Sequence, residues 1–269
     1  MKKWSFTATA PVRADLELPA GSIEVLPGAA DHLEVVIEPV RPGRRGDEYA
    51  EAIEVSFEAD RLGVHAPTRG FRFAELRCTV SLPEHSILSI RTASADIRAT
   101  ARLGSFDGKS ASGDVRLSRV DGDCSLDTAS GDLACDEVSG NTRVRGASCD
   151  VTITHSGGDV EVSVASGNVD LGGLGGSAKL RTASGDVTVR QATRGTVQVN
   201  TVSGNVTVGV AAGTGARLDV TSVSGETTCA LPFSEQGASQ APLRINCKTV
   251  SGDVRIEAAG PVAAPVSAG

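Results

Sequence analysis

The amino-acid sequence predicts an all-β fold, a parallel β-solenoid with about 18 residues per coil. Three observations predict it. A Ser-Gly-Asp-Val motif recurs at a constant step, a second turn signal falls at a constant place within each step, and apolar residues alternate between the turns. Together they indicate a stack of similar coils, each with two short strands.

The recurring motif sets the length of the coil. Its serine recurs at one constant spacing at Ser94, Ser112, Ser130, Ser148, Ser166 and Ser184. The motif then continues at wider and unequal spacings, at Ser203, Ser224 and Ser251. Insertions into the loops of an otherwise constant coil would produce such spacings.

A glycine marks a second turn in each coil, ten positions after the serine. It is found at Gly104, Gly122, Gly140, Gly158 and Gly176. Glycine suits such places because tight turns often need a positive φ, which other residues adopt only at a cost. Two turns per coil imply two strands per coil.

Alternate positions of the strands form apolar columns when the coils are aligned. The position three after the serine reads Ile97, Val115, Leu133, Val151, Val169, Val187, Val206, Thr227 and Val254. The position five after it reads Ala99, Leu117, Cys135, Ile153, Leu171, Val189, Val208, Cys229 and Ile256. The residues between these positions are mostly polar, so we expect the columns to face inward and each coil to bury them against its neighbours.

The spacing of the six cysteines does not indicate a metal site. No two of them form a Cys-x-x-Cys motif, and no histidine lies at ligand spacing from them. Cys124, Cys135, Cys229 and Cys247 fall on inward columns, where a thiol behaves as a small hydrophobic group. Cys78 and Cys149 are therefore the only candidates for a reactive or exposed thiol.

The motif also divides the chain into segments. Residues 1–75 lack the constant step and are expected to form an irregular β cap, in which residues 21–25 resemble a degenerate copy of the repeat. Residues 76–257 are expected to form the solenoid. Residues 258–269, rich in proline, alanine and glycine, are expected to form a disordered tail.

Composition excludes several classes of function. A net charge of −7 and only 3% aromatic residues argue against a nucleic-acid-binding groove, which would be basic and would carry stacking aromatics. No stretch approaches the roughly 20 apolar residues of a membrane-spanning helix. The N-terminal segment lacks the apolar run of a signal peptide, so we expect a cytoplasmic protein.

An acidic ladder follows the turns of the motif. It comprises Asp96, Asp114, Asp132, Asp150, Asp186 and Asp253, with asparagine or glutamate at the equivalent place in other coils. Such a row of oxygens could bind calcium. Asp and Asn also recur in turns because their side chains satisfy backbone groups, and we favour this structural role. No metal or cofactor is expected.

No catalytic residues are evident. The serines of the motif would need a nearby general base held by a third group, and the chain has only four histidines. A β-helix enzyme acting on glycans would need a pair of carboxylates and aromatic platforms for sugar rings, and the coils contain almost no aromatic residues. We therefore expect a protein that is not an enzyme.

The repeats also carry a family likeness. The Ser-Gly-Asp-Val motifs, with the lead-in at residues 76–83 (LRCTVSLP) and residues 92–97 (TASADI), resemble the bacterial putative-adhesin family of β-strand-repeat domains, a domain of unknown function. This resemblance implies a single-stranded, right-handed β-helix and an adhesin-like role.

The expected function is a non-enzymatic scaffold for interaction or assembly, with an unknown protein partner or with copies of itself. The alternatives are a self-assembling filament subunit and a glycan-directed β-helix enzyme or lectin. The coil that begins at Ser224 is clearly longer than the repeat, and loops of this kind often bind partners. Leu231, Pro232 and Phe233 are the candidate partner loop.

Overall fold

The computed structural model describes residues 1–8, 11–29, 31–67, 74–231 and 243–260. Contacts within the chain define two compact units, Met1–Asp132 and Leu133–Gly269. Both units consist mainly of parallel strands in which buried and exposed side chains alternate, as the period-two pattern of the sequence predicts. The predicted all-β solenoid class is confirmed.

Unit 1 contains eleven described strands and one helix. They are β1 Lys2–Thr7, β2 Arg13–Glu17, β3 Ala20–Pro27, β4 His32–Pro39, α1 Arg44–Glu51, β5 Glu54–Glu58, β6 Arg61–His65, β7 Leu76–Leu82, β8 Ser86–Thr92, β9 Ser94–Ser112, β10 Val115–Val120 and β11 Cys124–Ser130. They hydrogen-bond in two rows, β5-β6-β2-β8-β9-β11 and β1-β4-β7-β3-β9-β10. The long β9 belongs to both rows because it continues through a corner of the coil.

The coil made by β2 and β3 lies inside the stack of unit 1, although it comes first in the sequence. β2 pairs in parallel with both β6 and β8, and β3 pairs in parallel with both β7 and β9. The degenerate copy at residues 21–25 is therefore in register with a true repeat, since Ile23 lies opposite Ile97. Burial on both sides protects this coil from fraying.

Antiparallel strands close one end of unit 1. β1 pairs with β4, β4 with β7 and β5 with β6, all antiparallel. The rings of Phe6 on β1 and Phe57 on β5 lie 5.3 Å apart, so the two outermost strands contact each other. The Lys2 ammonium also donates to the Glu51 carbonyl at the end of α1.

Unit 2 contains thirteen described strands. They are β12 Leu133–Val138, β13 Thr142–Ser148, β14 Val151–Ser156, β15 Val160–Ser166, β16 Val169–Leu174, β17 Ala178–Ser184, β18 Val187–Ala192, β19 Gly195–Ser203, β20 Val206–Val210, β21 Ala216–Ser224, β22 Thr227–Ala230, β23 Leu243–Ser251 and β24 Val254–Ala258. The first coils stack in parallel register at the predicted constant step: Val151 lies opposite Val169, and Val169 opposite Val187.

The last two coils of unit 2 are stacked in reverse order. β23 pairs with β19 on one side and with β21 on the other, and β24 lies in the same way between β20 and β22. The inserted coil, residues 243–258, is thus enclosed, whereas the end coil, residues 216–230, is outermost. The widened spacing before Ser224 lets the chain pass over one coil position, and the still wider spacing before Ser251 lets it return.

The apolar content of the two coils explains this order. The inward positions of the inserted coil are almost entirely apolar: Leu243, Ile245, Cys247, Val254 and Ile256, all buried. The end coil carries a smaller or more polar residue at three of the five paired positions, namely Ala216, Thr227 and Cys229 opposite Leu243, Val254 and Ile256. Covering the more apolar coil on both sides removes more apolar surface from water.

The cysteines fit the predicted columns with three differences. Cys124, Cys135 and Cys247 are buried as expected, but Cys229 is exposed because it lies in the end coil. Cys78 and Cys149 were the candidates for an exposed thiol, and both are buried. Burial raises the pKa of Cys78 to about 12 and that of Cys247 to about 12, so these thiols are not reactive sites.

The predicted segment boundaries at residues 75 and 257 stay predictions. The last described strand, β24, ends at Ala258, and residues 261–269 of the expected tail lie outside the described residues.

Candidate functional site

The acidic ladder is a chain of hydrogen bonds between coils. At each step, the backbone N–H of the ladder residue in one coil donates to the side-chain oxygen of the ladder residue in the neighbouring coil. The pairs, donor first, are Asp114 to Asp96, Asp132 to Asp114, Asn168 to Asp150, Asp186 to Asn168 and Asn205 to Asp186, at 2.6–3.2 Å. These bonds account for the recurrence of both Asp and Asn, because either side chain offers the same acceptor.

A second ladder of the same kind runs along the other turn of unit 2, and sequence reasoning missed it. Asp159 donates its backbone N–H to Asn141, Ser177 to Asp159, and Thr196 to Ser177. The signal was the polar residue that follows the second glycine of each coil. Over the part of the chain that the structure describes, no group of three His, Cys, Asp or Glu side chains could hold a metal ion.

The first ladder ends at the end coil. Asp253 donates to Asn205 at 3.1 Å, and Glu226 donates to Asp253 at 2.8 Å. The order Asn205, Asp253, Glu226 repeats the reversed order of the coils. Glu226 is exposed and is the outermost member of the ladder, so its carboxylate lies where a further coil would bring its own N–H.

The end coil has an open backbone edge. Throughout the unit, the N–H of an inward residue donates to the next coil toward this end, as Val160 does to the Ser177 carbonyl and Val254 to the Glu226 carbonyl. The inward residues of the end coil follow the same rule, so their N–H groups point away from the inserted coil. These residues are Leu218, Val220 and Thr227. No described strand pairs with the outer edge of β21 or β22. Unpaired edges of this length are templates for pairing with another chain.

The apolar columns are also uncovered at the end coil. In the interior coils the equivalent side chains are buried, whereas Leu218 and Val220 are half-exposed, and every residue of β22, including Cys229, is exposed. The Ser222 hydroxyl has no hydrogen-bond partner within the described part of the chain. The end coil thus exposes side chains at positions that are buried in the interior coils.

A stripe of exposed valines adjoins the end coil. It consists of Val202, Val250 and Val223, 53%, 49% and 77% exposed, which lie side by side at the position before the motif serine on β19, β23 and β21. Six earlier coils carry alanine at this position: Ala93, Ala111, Ala129, Ala147, Ala165 and Ala183. The change from alanine to valine before the motif serine was readable in the sequence. Its meaning became clear only with the coil order known.

Two charged side chains of β21 face outward on the open edge. Arg217 lies beside Arg244 of the inserted coil, and Asp219 lies beside Asn246. Neither Arg217 nor Asp219 forms an ion pair within the residues that the structure describes. A cation placed against another cation, with no counter-ion, favours an acidic neighbour from outside the coil.

The predicted partner loop begins at this open end. Leu231 follows β22 directly and is half-buried, whereas Pro232 and Phe233 lie outside the described residues. The role assigned to this loop stays a prediction.

A histidine and a carboxylate come together in unit 1, but their surroundings do not support catalysis. His85 Nδ1 lies 2.6 Å from Asp121 Oδ2, and the same carboxylate accepts from Arg102 at 2.8 Å and Arg119 at 3.0 Å. Burial alone would raise the pKa of Asp121, but the two arginine hydrogen bonds outweigh it and lower that pKa. The neighbouring Ser86 hydroxyl is buried and donates to the Pro83 carbonyl, so the cluster ties turns together.

A shallow groove of about 340 Å³ crosses the exposed side of β12, β14, β16 and β18. It forms where Gly173 interrupts a column of larger outward residues, so that the His155 ring lies over the gap. Among the described residues that line it, Glu137 is the only carboxylate, and none is Phe, Tyr or Trp. Glycosidic cleavage needs two carboxylates, so the described lining of this groove does not match a glycan-directed enzyme.

The described part of the chain holds no helix with the length and apolar character needed to cross a bilayer.

Comparisons with known proteins agree with the architecture. A putative adhesin from Parabacteroides distasonis ATCC 8503 superposes with a TM-score of 0.57 at 10% identity, over 95% of this chain and 96% of that one. At this identity the likeness shows the fold alone. A putative adhesin from Bacteroides fragilis NCTC 9343 covers 95% of this chain and 97% of its own at 12% identity, but its TM-score of 0.40 does not establish a shared fold.

No curated protein sequence matches the chain. The family described as Toastrack DUF4097 matches residues 68–259, which include all the regular coils. This match agrees with the constant register, the inward columns and the polar ladders described above. The chain therefore belongs to the Toastrack DUF4097 family.

Proposed function

We propose that the protein is a non-catalytic scaffold that binds a protein partner at the end coil by strand addition. One observation carries the proposal: among the described residues, no strand pairs with the outer edges of the end coil and its apolar columns are exposed, whereas those of the interior coils are buried. A partner strand that pairs with the edge of β21 or of β22 gains main-chain hydrogen bonds from that edge and specificity from alternate side chains.

The valine stripe enlarges the same surface. Three adjacent exposed valines widen the apolar area around the end coil, and exposed apolar patches commonly mark sites of protein interaction. Interaction surfaces of this kind need no acid–base machinery. The name of the Parabacteroides distasonis structure, a putative adhesin, is consistent with a binding role.

A photo-reactive amino acid at residue 228 tests the proposal. Thr228 faces outward on the end coil, and Thr188 occupies the same repeat position on an interior coil, so replacement at residue 188 is the matched control. In cells that produce the protein, we expect covalent adducts from residue 228 and few from residue 188. Equal adduct yields from the two positions would contradict the proposal.

Replacing the three stripe valines with alanine, V202A/V223A/V250A, should reduce the adduct yield about tenfold, the effect of a loss of roughly 1.4 kcal/mol of binding free energy. The melting curve should be unchanged, because six other coils carry alanine at this position. Ile87→Ala, which removes an exposed apolar side chain in unit 1, is the control and should leave the yield unchanged.

A further inference from the structure

The partner's identity can be inferred from the end coil itself. We infer that the end coil binds a second copy of this chain, through antiparallel pairing of β21 with its two-fold mate; this rests on the proposed function of the end coil. Closed two-fold dimers are the commonest homo-oligomers, and their interface uses one surface twice.

Along the open edge of β21, the backbone N–H and C=O groups of every second residue point outward. This arrangement fits antiparallel pairing centred on Leu218. Leu218 would lie opposite Leu218 of the partner subunit, and Ala216 opposite Val220 of the partner subunit. These are inward residues, whose N–H and C=O groups point toward the open side, so they form the hydrogen-bonded pairs of an antiparallel ladder. Their half-exposed side chains would be covered by the same columns from the partner.

The charges on β21 select this register. With Leu218 at the centre, Arg217 faces Asp219 of the partner subunit, and by symmetry Asp219 faces Arg217 of the partner subunit. These are the non-hydrogen-bonded pairs of the ladder, in which side chains approach most closely. Centring on Val220 instead would place Arg217 opposite Val223 of the partner subunit and would leave both charges unpaired.

The pairing also gives Arg217 a counter-ion. Arg217 lies beside Arg244 on one side and would lie beside Asp219 of the partner subunit on the other. Opposite charges placed directly across two strands stabilise a sheet, whereas like charges destabilise it. Two such pairs form in each dimer because the axis duplicates the contact.

A closed dimer agrees better with the strand arrangement than a filament does. A filament needs two different complementary surfaces, whereas a two-fold contact needs one. In unit 1 the outermost strands β1 and β5 contact each other through Phe6 and Phe57 and are joined to antiparallel partners. The open parallel edge of the end coil has no equivalent there among the described strands.

Sedimentation velocity of the full chain tests this inference, over a range of about 1 to 100 µM, where weak dimers dissociate and form. We expect a concentration-dependent monomer–dimer equilibrium. The dimer should weaken about 100-fold with either Arg217→Asp or Asp219→Arg. Each substitution places two like charges opposite each other, and the two-fold axis repeats this contact. The double variant R217D/D219R should restore the dimer to within about threefold, since the charges are only exchanged. Arg181→Asp, an exposed change on interior strand β17, should have no effect.

The outcomes separate this inference from the proposed function. All three positions are on the outer side of strands, so circular dichroism should show each variant folded. A chain that stays monomeric while residue 228 still forms adducts with another protein would overturn the self-association and leave the scaffold function standing. A dimer that is indifferent to both single reversals would overturn the β21 interface. Absence of both dimer and adducts would overturn both proposals.

Discussion

Replacing Val162 by aspartate is expected to lower the free energy of unfolding by about 4 kcal/mol, because the change buries an unpaired charge. Val162 is fully buried on β15, with Val144 and Leu180 in register on the neighbouring coils. Both neighbours are apolar, so neither offers the carboxylate a counter-ion. The carboxyl can avoid the cost only by binding a proton, so the loss should shrink as the pH falls.

The next residue provides a matched control for this substitution. Ser163 faces outward and lies between Arg145 and Arg181 on the adjacent strands. Ser163→Asp introduces the same charge one position away and should leave the free energy of unfolding unchanged or slightly higher. Denaturant titrations followed by far-UV circular dichroism give both values. Equal losses from the two substitutions would mean that the inward and outward faces are wrongly assigned.

Replacing Gly185 by alanine is expected to lower the free energy of unfolding by at least about 2 kcal/mol. Gly185 has a φ of +137°, a conformation that other residues rarely adopt. A Cβ atom there would also lie 2.0 Å from the Gly167 carbonyl oxygen of the adjacent coil. The motif glycine is thus required both by its own turn and by the close approach of two coils.

Gly213 provides a comparison in which a positive φ occurs without a close contact. Its φ is +77°, but a Cβ atom there would meet no atom within 4 Å. Gly213→Ala should therefore cost only the backbone strain, about 1 kcal/mol. The excess measured for Gly185→Ala combines the contact between coils with the greater backbone strain of a φ of +137°. A loss at Gly185 no larger than that at Gly213 would contradict the close stacking of the turns.

The regular coils were predictable because one local pattern decides them. A buried column needs an apolar side chain at every second position, so Val151, Val169 and Val187 identified the inward face from sequence alone. The ladder residue Asp186 was also visible, since Asp or Asn recurs at this position of the coil. Their hydrogen bonds between coils follow from the stacking of equivalent turns.

The order of the terminal coils was not predictable from the motif. The end coil and the inserted coil carry the same turn and the same register, so each could pair with β19. The choice depends on a comparison of whole coils, in which Leu243 and Ile256 gain more from burial than Ala216 and Cys229 do. The candidate site depended on that order, which is why the valine stripe was overlooked.

Alkylation of the native cysteines tests the coil order most directly. The measurement uses iodoacetamide and mass spectrometry at a dilution where the chain is monomeric. Cys229 is exposed on the end coil, whereas Cys247 is fully buried in the inserted coil, and burial raises its pKa to about 12. We expect Cys229 to react at least about 100-fold faster than Cys247, because Cys247 reacts only when its coil opens. Faster labelling of Cys247, with Cys229 protected, would show that the coils stack in sequence order and that the end coil is not the open end.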